Sequence, residues 1–230
     1  MPNHVTTILT IEDAASVALA DIRKAFMNAD GKVDFNIVRP SPECLKDFEP
    51  NLGVLSRANA ALGLLPDPKT VGGSDITDFT KRLELSNCMR DITTPTLTKD
   101  IPDIVRALQN YGECGYMYWY DWNSEHWGTK WNCYGQPDSG HPADATSFEF
   151  KTAWAHPGDI IKTLSERVPN VTFSVRYADE DTGSNCGTYR IKAGVRVNED
   201  IAPRHGDQTP AERQKWMEFA FRLRNGMRRD

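Results

Sequence analysis

The sequence predicts an α+β protein, and three observations lead to that prediction. Val5–Ile11 alternates apolar and polar residues and is rich in β-branched side chains, which indicates a half-buried strand. Ala14–Met27 carries apolar residues at helical spacing, and the pair Asp30-Gly31 ends that helix. Val171–Tyr177 and Cys186–Val197 have the composition of strands and flank a polar turn. We therefore expect these two strands to pair as a hairpin.

A strand over Val33–Val38 is predicted to complete a strand–helix–strand opening, and a helical insertion follows it. Prolines and a Gly72-Gly73 pair interrupt the segment from Pro40 to about Pro102. Short helices are predicted within it around Leu52–Leu64 and Ile76–Met89. Additions to a rigid sheet often carry recognition, so we expect this insertion to supply an interaction face.

Two further helices are predicted after the insertion. The first covers Asp103–Tyr111. The second covers Tyr116–Trp127, because Trp119, Trp122 and His126 recur at the spacing of one helical face.

The following elements alternate between strand and helix. Gly128 suits the left-handed position that ends a helix. Thr129–Tyr134 is expected to form a strand after it. Thr146–Trp154 alternates apolar and polar residues and predicts another strand. Pro157 then begins a helix that runs to about Arg167, since its missing N–H group would be unpaired in the first turn.

The last predicted helix covers Gln208–Arg224, with Thr209 as its cap and Pro210 as its first residue. We expect residues 1–200 to form one α+β domain that includes the insertion. Residues 201–230 are expected to add the C-terminal helix, packed on the same domain.

Composition and charge restrict the class of protein. The 230 residues include 27 basic and 32 acidic side chains, and the formal charge of -5 opposes non-specific binding to nucleic acid or anionic membranes. The five cysteines never form a Cys-x-x-Cys pair, which suits reduced thiols in a cytoplasm. No signal-peptide pattern and no run of about 18 apolar residues occurs, so neither export nor a membrane span is expected.

The segment Tyr116–Tyr134 is dense in aromatic residues. Such a cluster can hold several elements together, or it can present a surface to a partner. The structural interpretation is favoured, because packed aromatic clusters are the commoner use. The predicted core residues of this motif are Trp119, Trp122, Trp127, Gly128, Trp131 and Trp154.

The same segment also contains a candidate binding site formed by Asp121, Glu125, His126 and Lys130. Asp121 and Glu125 are four residues apart and share one helical face, as acid–base or metal chemistry would require. No catalytic residue, metal site or cofactor is predicted, because nucleophile elbows, phosphate loops and zinc spacings are absent. The cysteines and histidines that could be metal ligands are Cys114, His126, Cys133, His141, His156 and Cys186.

The C-terminal region is the basic part of the chain. Arg222 and Arg224 can compensate the dipole of the last helical turn, whereas Arg228 lies beyond it. These arginines are a second set of candidate binding residues, and they would suit nucleic acid bound on a sheet face. That function is not favoured, since an RNP-like run is missing and the overall charge is negative.

Three motifs carry a resemblance to a known family. They are FNIVRPSPECL at Phe35–Leu45, YWYDWNSEHWGTKWNCY at Tyr118–Tyr134, and FKTAWAHP at Phe150–Pro157 with YADEDTGSNCGTY after it. Together they resemble the YubB-like proteins of phages and conjugative plasmids. The resemblance extends from Pro2 to about Gly194.

The resemblance implies a ferredoxin-like domain. Together with the elements predicted above, we expect a ferredoxin-like antiparallel sheet with helices on one face, a helical insertion after the second strand and an added C-terminal helix, which lies outside the resemblance. We expect a non-enzymatic accessory protein of a phage, prophage or plasmid, which binds a host or defence-system protein in the bacterial cytoplasm. One alternative is a nucleic-acid-binding module that uses the sheet face and the basic C-terminal helix. Another is an enzyme or metal-binding protein with a site around Asp121, Glu125 and His126.

Overall fold

The computed structural model of the chain describes residues 3–12, 16–62 and 95–226. Its contacts divide the chain into two units. The sheet unit comprises Met1–Pro40 and Asn123–Asp230, and the insertion unit comprises Ser41–Trp122. The predicted helix Ile76–Met89 lies outside the described residues, as does the candidate residue Arg228.

The sheet unit is built on one antiparallel sheet. Its strands are β1 His4–Glu12, β2 Ser147–Ala153, β3 Thr172–Asp179, β4 Cys186–Lys192 and β5 Val195–Ile201. Their order is β2-β1-β3-β4-β5, and every neighbouring pair is antiparallel. The strands β2 and β3 flank β1 and therefore run parallel to each other. This split strand–helix–strand arrangement is that of a ferredoxin-like fold, so the predicted α+β class is confirmed.

The helices in the described part of the chain are α1 Ser16–Lys24, α2 Phe35–Val38, α3 Leu52–Leu62, α4 Pro95–Cys114, α5 Trp119–His126, α6 Gly158–Arg167 and α7 Pro210–Arg224. Each predicted helix that falls on described residues is confirmed, with shifted ends. None of the described helices is long and apolar enough to cross a membrane.

Alternate side chains of the sheet form a buried surface, which we call the core face. Its members are Val5, Thr7, Leu9, Ile11, Phe148, Phe150, Thr152, Phe173, Val175, Tyr177, Tyr189 and Ile191. Phe26 meets Phe148 edge to face with ring centroids 5.0 Å apart, and Phe35 meets Phe150 in the same way at 5.9 Å. Full burial of such a side chain contributes roughly 1.5–3 kcal/mol, so this face contributes substantially to the stability of the sheet unit.

The opposite surface of the sheet, the outer face, packs against α7. Trp216, Ala220 and Leu223 of that helix form a buried cluster with Ala178 and Cys186 of the sheet. The three helix residues lie three or four positions apart, so they share one side of α7. The C-terminal helix therefore has an apolar side, and this side packs on the sheet.

The start of α7 follows the sequence prediction. The Thr209 hydroxyl accepts a hydrogen bond from the Glu212 N–H, and the Glu212 carboxylate accepts one from the Thr209 N–H at 2.8 Å. This reciprocal capping box satisfies two donors that a helix start leaves open. Pro210 is the first helical residue.

The insertion unit has its own small core, in which α3 packs against α4. Val54 and Ala58 are buried there together with Ile104 and Leu108. The predicted helix Asp103–Tyr111 is the second half of the longer α4.

The predicted strand Val33–Val38 is wrong. Only Val33 makes an isolated bridge, to Met27, and residues 35–38 form α2. The Asp34 carboxylate accepts a hydrogen bond from the Asn36 N–H at 2.9 Å and so caps a helix at this point. Local capping therefore outweighs the strand propensity of this short segment.

The predicted strand Thr129–Tyr134 is also wrong. Tyr134 makes an isolated bridge with Lys151, and the residues before it form turns. The Thr129 side chain donates to the Ala153 carbonyl at 2.8 Å, so side-chain bonds take the place of a strand ladder.

The predicted strand Cys186–Val197 is divided into β4 and β5. Ala193 and Gly194 have φ angles of 48° and 78°, which is the geometry of a tight two-residue hairpin. The predicted hairpin between the segments at 171–177 and 186–197 is confirmed as the pair β3 and β4.

Candidate functional site

The acidic residues predicted as a site lie on α5. Asp121 and Glu125 are exposed, and His126 is partly buried. The boundary between the two units falls within this helix, after Trp122. Partial desolvation raises the pKa of the Asp121 carboxyl above its ordinary value. Among the residues that the structure describes, no group of three or more His, Cys, Asp or Glu side chains is placed to hold a metal ion.

Two of the predicted core tryptophans, Trp122 and Trp127, are buried. The Trp127 indole N–H donates to the Arg39 carbonyl at 2.9 Å, and its ring meets Phe35 edge to face. A buried indole requires such an acceptor. Trp119 and Trp131 are only partly buried. The motif thus contributes to the core through some of its rings.

The turn after α5 packs against the region from the end of β2 to the start of α6. Gly128 has a φ of 72°, and a Cβ atom there would lie 3.5 Å from Asp159 Oδ2. The hydrogen bond from Thr129 to the Ala153 carbonyl joins the same two segments. Two sequence motifs, one around Trp127 and one around Trp154, therefore meet at the β2 edge of the sheet.

Lys130, Trp131 and Trp154 form a patch at this edge, which we call the Trp154 surface. The Lys130 ammonium lies 4.7 Å from the ring centroid of Trp131 and 4.7 Å from that of Trp154. Trp154 is 45% exposed, which corrects its prediction as a core residue. The reason is that β2 ends at Ala153 and Trp154 has a φ of 68°, so the strand alternation stops before its side chain.

Both the backbone N–H and the backbone carbonyl of Trp154 are hydrogen-bonded. Its N–H donates to the Asn3 carbonyl at 2.9 Å, and its carbonyl accepts from the Asn185 side chain at 3.1 Å. Asn185 also donates to the Asp179 carboxylate at 2.7 Å. A bulky residue at positive φ costs on the order of 1–3 kcal/mol and persists only where its surroundings enforce it. These three bonds therefore stabilise the strained position of the exposed indole.

His156 follows two residues later and points to the core face. Its Nδ1 hydrogen-bonds the Thr7 hydroxyl at 3.1 Å, and its Nε2 hydrogen-bonds the Tyr189 hydroxyl at 2.8 Å. Its ring stacks on Tyr177 with centroids 4.1 Å apart. Burial, together with the nearby Arg196 charge, lowers the pKa of His156 to about 3. The imidazole is therefore neutral at pH 7, and both of its nitrogens are engaged.

A concave site of about 440 Å³ lies between α7 and the outer face, and we call it the α7 groove. Its residues are Arg176, Thr188 and Asp200 from the sheet and Lys215, Trp216, Glu218, Phe219, Arg222 and Leu223 from the helix. Lys215 binds Asp200 through an ion pair of 2.8 Å. The groove thus combines charged walls with an aromatic and aliphatic floor.

The candidate arginines of the C-terminal helix lie in different surroundings. Arg222 is exposed and lines the α7 groove. Arg224 instead donates to the Asp179 carbonyl at 3.4 Å and to the Thr182 hydroxyl at 3.1 Å, which ties the helix end to the β3–β4 turn. Arg224 is therefore part of the scaffold.

Arg176 and the exposed position of Trp154 were not identified from the sequence. Arg176 lies between the buried residues Val175 and Tyr177, and this alternation is a signal for an outward-facing side chain. The exposure of Trp154 has no such signal, because the apolar alternation of β2 leads directly into it.

Comparison with known proteins identifies similarity over part of the chain. Residues 127–219 match a family model described as the ferredoxin-like domain in Api92-like protein. The crystal structure of the protein Api92 from Yersinia pseudotuberculosis is similar at 11% identity and a TM-score of 0.36, over 88% of this chain and 99% of that one. No curated protein matches the sequence. The matched residues contain β2 to β5, whereas β1 lies outside them, so residues 127–219 are similar to the ferredoxin-like domain in Api92-like protein.

Proposed function

We propose that this chain is a non-enzymatic accessory protein that binds another protein through the Trp154 surface. The partner is a host or defence-system protein of a bacterium. That part of the proposal is supported by the resemblance of the sequence motifs to YubB-like proteins of phages and plasmids.

The observation that carries the proposal is the position of Trp154. The indole is 45% exposed, and its backbone is fixed by hydrogen bonds in a strained conformation. Strained residues cluster at functional sites, and tryptophan is enriched among the residues that dominate binding energy at protein interfaces. A backbone that is already fixed loses little conformational entropy when a partner covers the indole.

The environment of His156 makes this residue unsuitable as a general base. A general base needs a free lone pair and a pKa near the working pH. Thr7 and Tyr189 occupy both ring nitrogens of His156, and burial keeps its pKa near 3. The His156 side chain therefore has a structural role, in which it links Thr7 to Tyr189.

Partner capture from bacterial cells tests the proposal with the purified full-length chain. The wild-type protein and the variants Trp154→Ala and Leu52→Ala are immobilised at equal density, and retained proteins are quantified by mass spectrometry. Leu52 is an 83% exposed residue of the insertion unit and serves as the control. Thermal unfolding of each variant confirms that it is folded.

We expect a protein retained by the wild type and by Leu52→Ala to be reduced about tenfold or more with Trp154→Ala, as is usual for a residue that dominates an interface. Equal retention by Trp154→Ala contradicts the assignment of this surface. Loss of the retained protein with Leu52→Ala alone would instead indicate that the interface lies on the insertion unit. Failure of the wild type to retain any protein above an empty matrix overturns the proposed function.

A further inference from the structure

The α7 groove contains two guanidinium groups that the protein itself does not neutralise. Among the described residues, neither Arg176 nor Arg222 makes an ion pair or a hydrogen bond. The other charged side chains of the groove each have an ion-pair or hydrogen-bond partner. Lys215 binds Asp200 at 2.8 Å, and the Glu218 carboxylate accepts a hydrogen bond from a side chain one turn earlier on α7. The groove is lined by three basic and two acidic side chains, so it has an excess of one positive charge and two guanidinium groups without an ion-pair partner in the described part of the chain.

These two arginines come from different elements. Arg176 lies on β3, where Thr188 is its neighbour on β4, and Arg222 lies on the last turn of α7. The helix is fixed on the sheet by the buried Trp216 cluster and by the bonds of Arg224 to the β3–β4 turn. The backbone positions of the two arginines are therefore set by the folded core.

The chemistry of the groove selects an anionic group beside an apolar one. A guanidinium binds a carboxylate or a phosphate through two parallel N–H bonds, which a lysine cannot do. The floor is formed by Trp216, Phe219 and Leu223, which favour an aliphatic or aromatic group. The groove volume of about 440 Å³ lies within the range of ligand pockets in proteins, roughly 300–1,000 Å³.

A protein segment fits this chemistry better than a nucleic acid. The chain has a net charge of -5, and the carboxylates of Asp200 and Glu218 line the same groove. A polyanion would meet the negative field of the chain along its whole length, whereas one carboxylate side chain enters a groove in which basic side chains outnumber acidic ones by three to two.

We propose that the α7 groove binds an acidic side chain of a protein segment, with the adjacent apolar side chain on the Trp216 floor. This inference rests on the proposed function, because it states the chemistry of a segment that the partner would present. It is separate from the Trp154 surface, so the two can fail independently.

The test is an NMR titration of the full-length chain, labelled with ¹⁵N, by the capped tripeptide acetyl-Phe-Glu-Leu-amide. The matched control peptide carries glutamine in place of glutamate. The signals followed are the indole N–H of Trp216 and the guanidinium N–H groups. The titration is repeated with Arg176→Gln and Arg222→Gln, with Trp154→Ala, and with Arg213→Gln as an exposed α7 arginine outside the groove.

We expect the glutamate peptide to shift the Trp216 signal and to bind about tenfold or more tightly than the glutamine peptide, since a charge-assisted bond is lost in the control. Arg176→Gln and Arg222→Gln remove this preference, whereas Arg213→Gln and Trp154→Ala retain it. Equal binding of the two peptides overturns the proposal, and so does the absence of shifts with either peptide.

A third titration with the oligonucleotide dT12 decides between the two macromolecular classes. Tighter binding of dT12 than of the glutamate peptide, with loss in Arg176→Gln and Arg222→Gln, overturns the proposal in favour of nucleic acid. Peptide binding without any captured partner leaves the groove assignment intact and contradicts the proposed function. A captured partner without peptide binding contradicts the groove assignment alone.

Discussion

The ammonium group of Lys130 lies 4.7 Å from the ring centroid of Trp154, at the edge of the sheet unit. The same ammonium lies 4.7 Å from the ring of Trp131. One cation thus joins a partly buried ring of the aromatic motif to the exposed ring that follows β2.

This relationship predicts that Lys130→Met destabilises the protein. Each cation–π contact contributes about 0.5–1 kcal/mol at an exposed site, so we expect the free energy of unfolding to fall by roughly 1–2 kcal/mol in urea denaturation. Lys162→Met is the control, since Lys162 is exposed and makes only a long ion pair of 4.0 Å. Equal changes in the two variants would contradict a specific role for Lys130.

The burial of His156 predicts a pH dependence of stability. In the unfolded chain the imidazole takes up a proton below its ordinary pKa of 6.5, whereas in the folded chain its pKa is about 3. The stabilisation is therefore complete above pH 6.5 and is lost as the pH falls from 6.5 toward 3, by roughly 1.4 kcal/mol per pH unit.

Urea denaturation of the wild type and His156→Gln at about pH 7 and about pH 5 measures this effect. The wild type should lose roughly 2 kcal/mol more than the variant between these two pH values. Equal losses of stability in the wild type and in His156→Gln would contradict the prediction, because they would show that His156 is protonated as readily in the folded chain as in the unfolded chain.

The turn between β4 and β5 predicts a specific cost for adding a methyl group. Gly194 has a φ of 78°, and a Cβ atom there would lie 2.7 Å from the Glu166 side chain. We expect Gly194→Ala to lower the free energy of unfolding by about 1 kcal/mol or more. Gly206→Ala is the matched control, because no atom lies within 4 Å of its added Cβ and its φ is not positive.

The hydrogen bond between the thiols of Cys44 and Cys114 predicts that these two residues can form a disulfide within the insertion unit. Burial raises the pKa of the Cys44 thiol to about 12, and a hydrogen bond with Cys114 contributes to the same shift. We expect diamide to oxidise the two thiols to one disulfide, with transfer of two electrons and two protons to the reagent. Peptide mapping by mass spectrometry detects the link, and the reaction should accelerate at higher pH as thiolate forms.

Cys133 and Cys186 serve as internal controls in this experiment, because both belong to the sheet unit and should remain thiols. A mixture of random pairings, or no link between Cys44 and Cys114, would contradict the contact.

Several elements of the fold could be predicted from local sequence alone. The alternation in Val5–Ile11 and around Phe148 and Phe150 places alternate residues on one face of the sheet, as the burial of these side chains confirms. The cap Thr209 and the first residue Pro210 identify the start of α7, because the bonds at a helix start form within one turn.

Other elements depend on contacts that no local pattern reports. Val33–Val38 has the composition of a strand, but the capping bond of Asp34 and the burial of Phe35 and Val38 make its last four residues helical. The division of Cys186–Val197 into two strands depends on one small turn at Ala193 and Gly194.

The sequence by itself determined the α+β class, the positions of most strands and helices, and the aromatic richness of the segment around Trp127. The tertiary structure decided which of these rings are buried and which side chains meet. Trp154 is exposed because its backbone turns at the end of β2, and Arg176 and Arg222 line one groove because α7 packs on the outer face. The physical reason is that burial and charge pairing depend on neighbours distant in the sequence, whereas strand alternation and helix capping depend on neighbours within one turn.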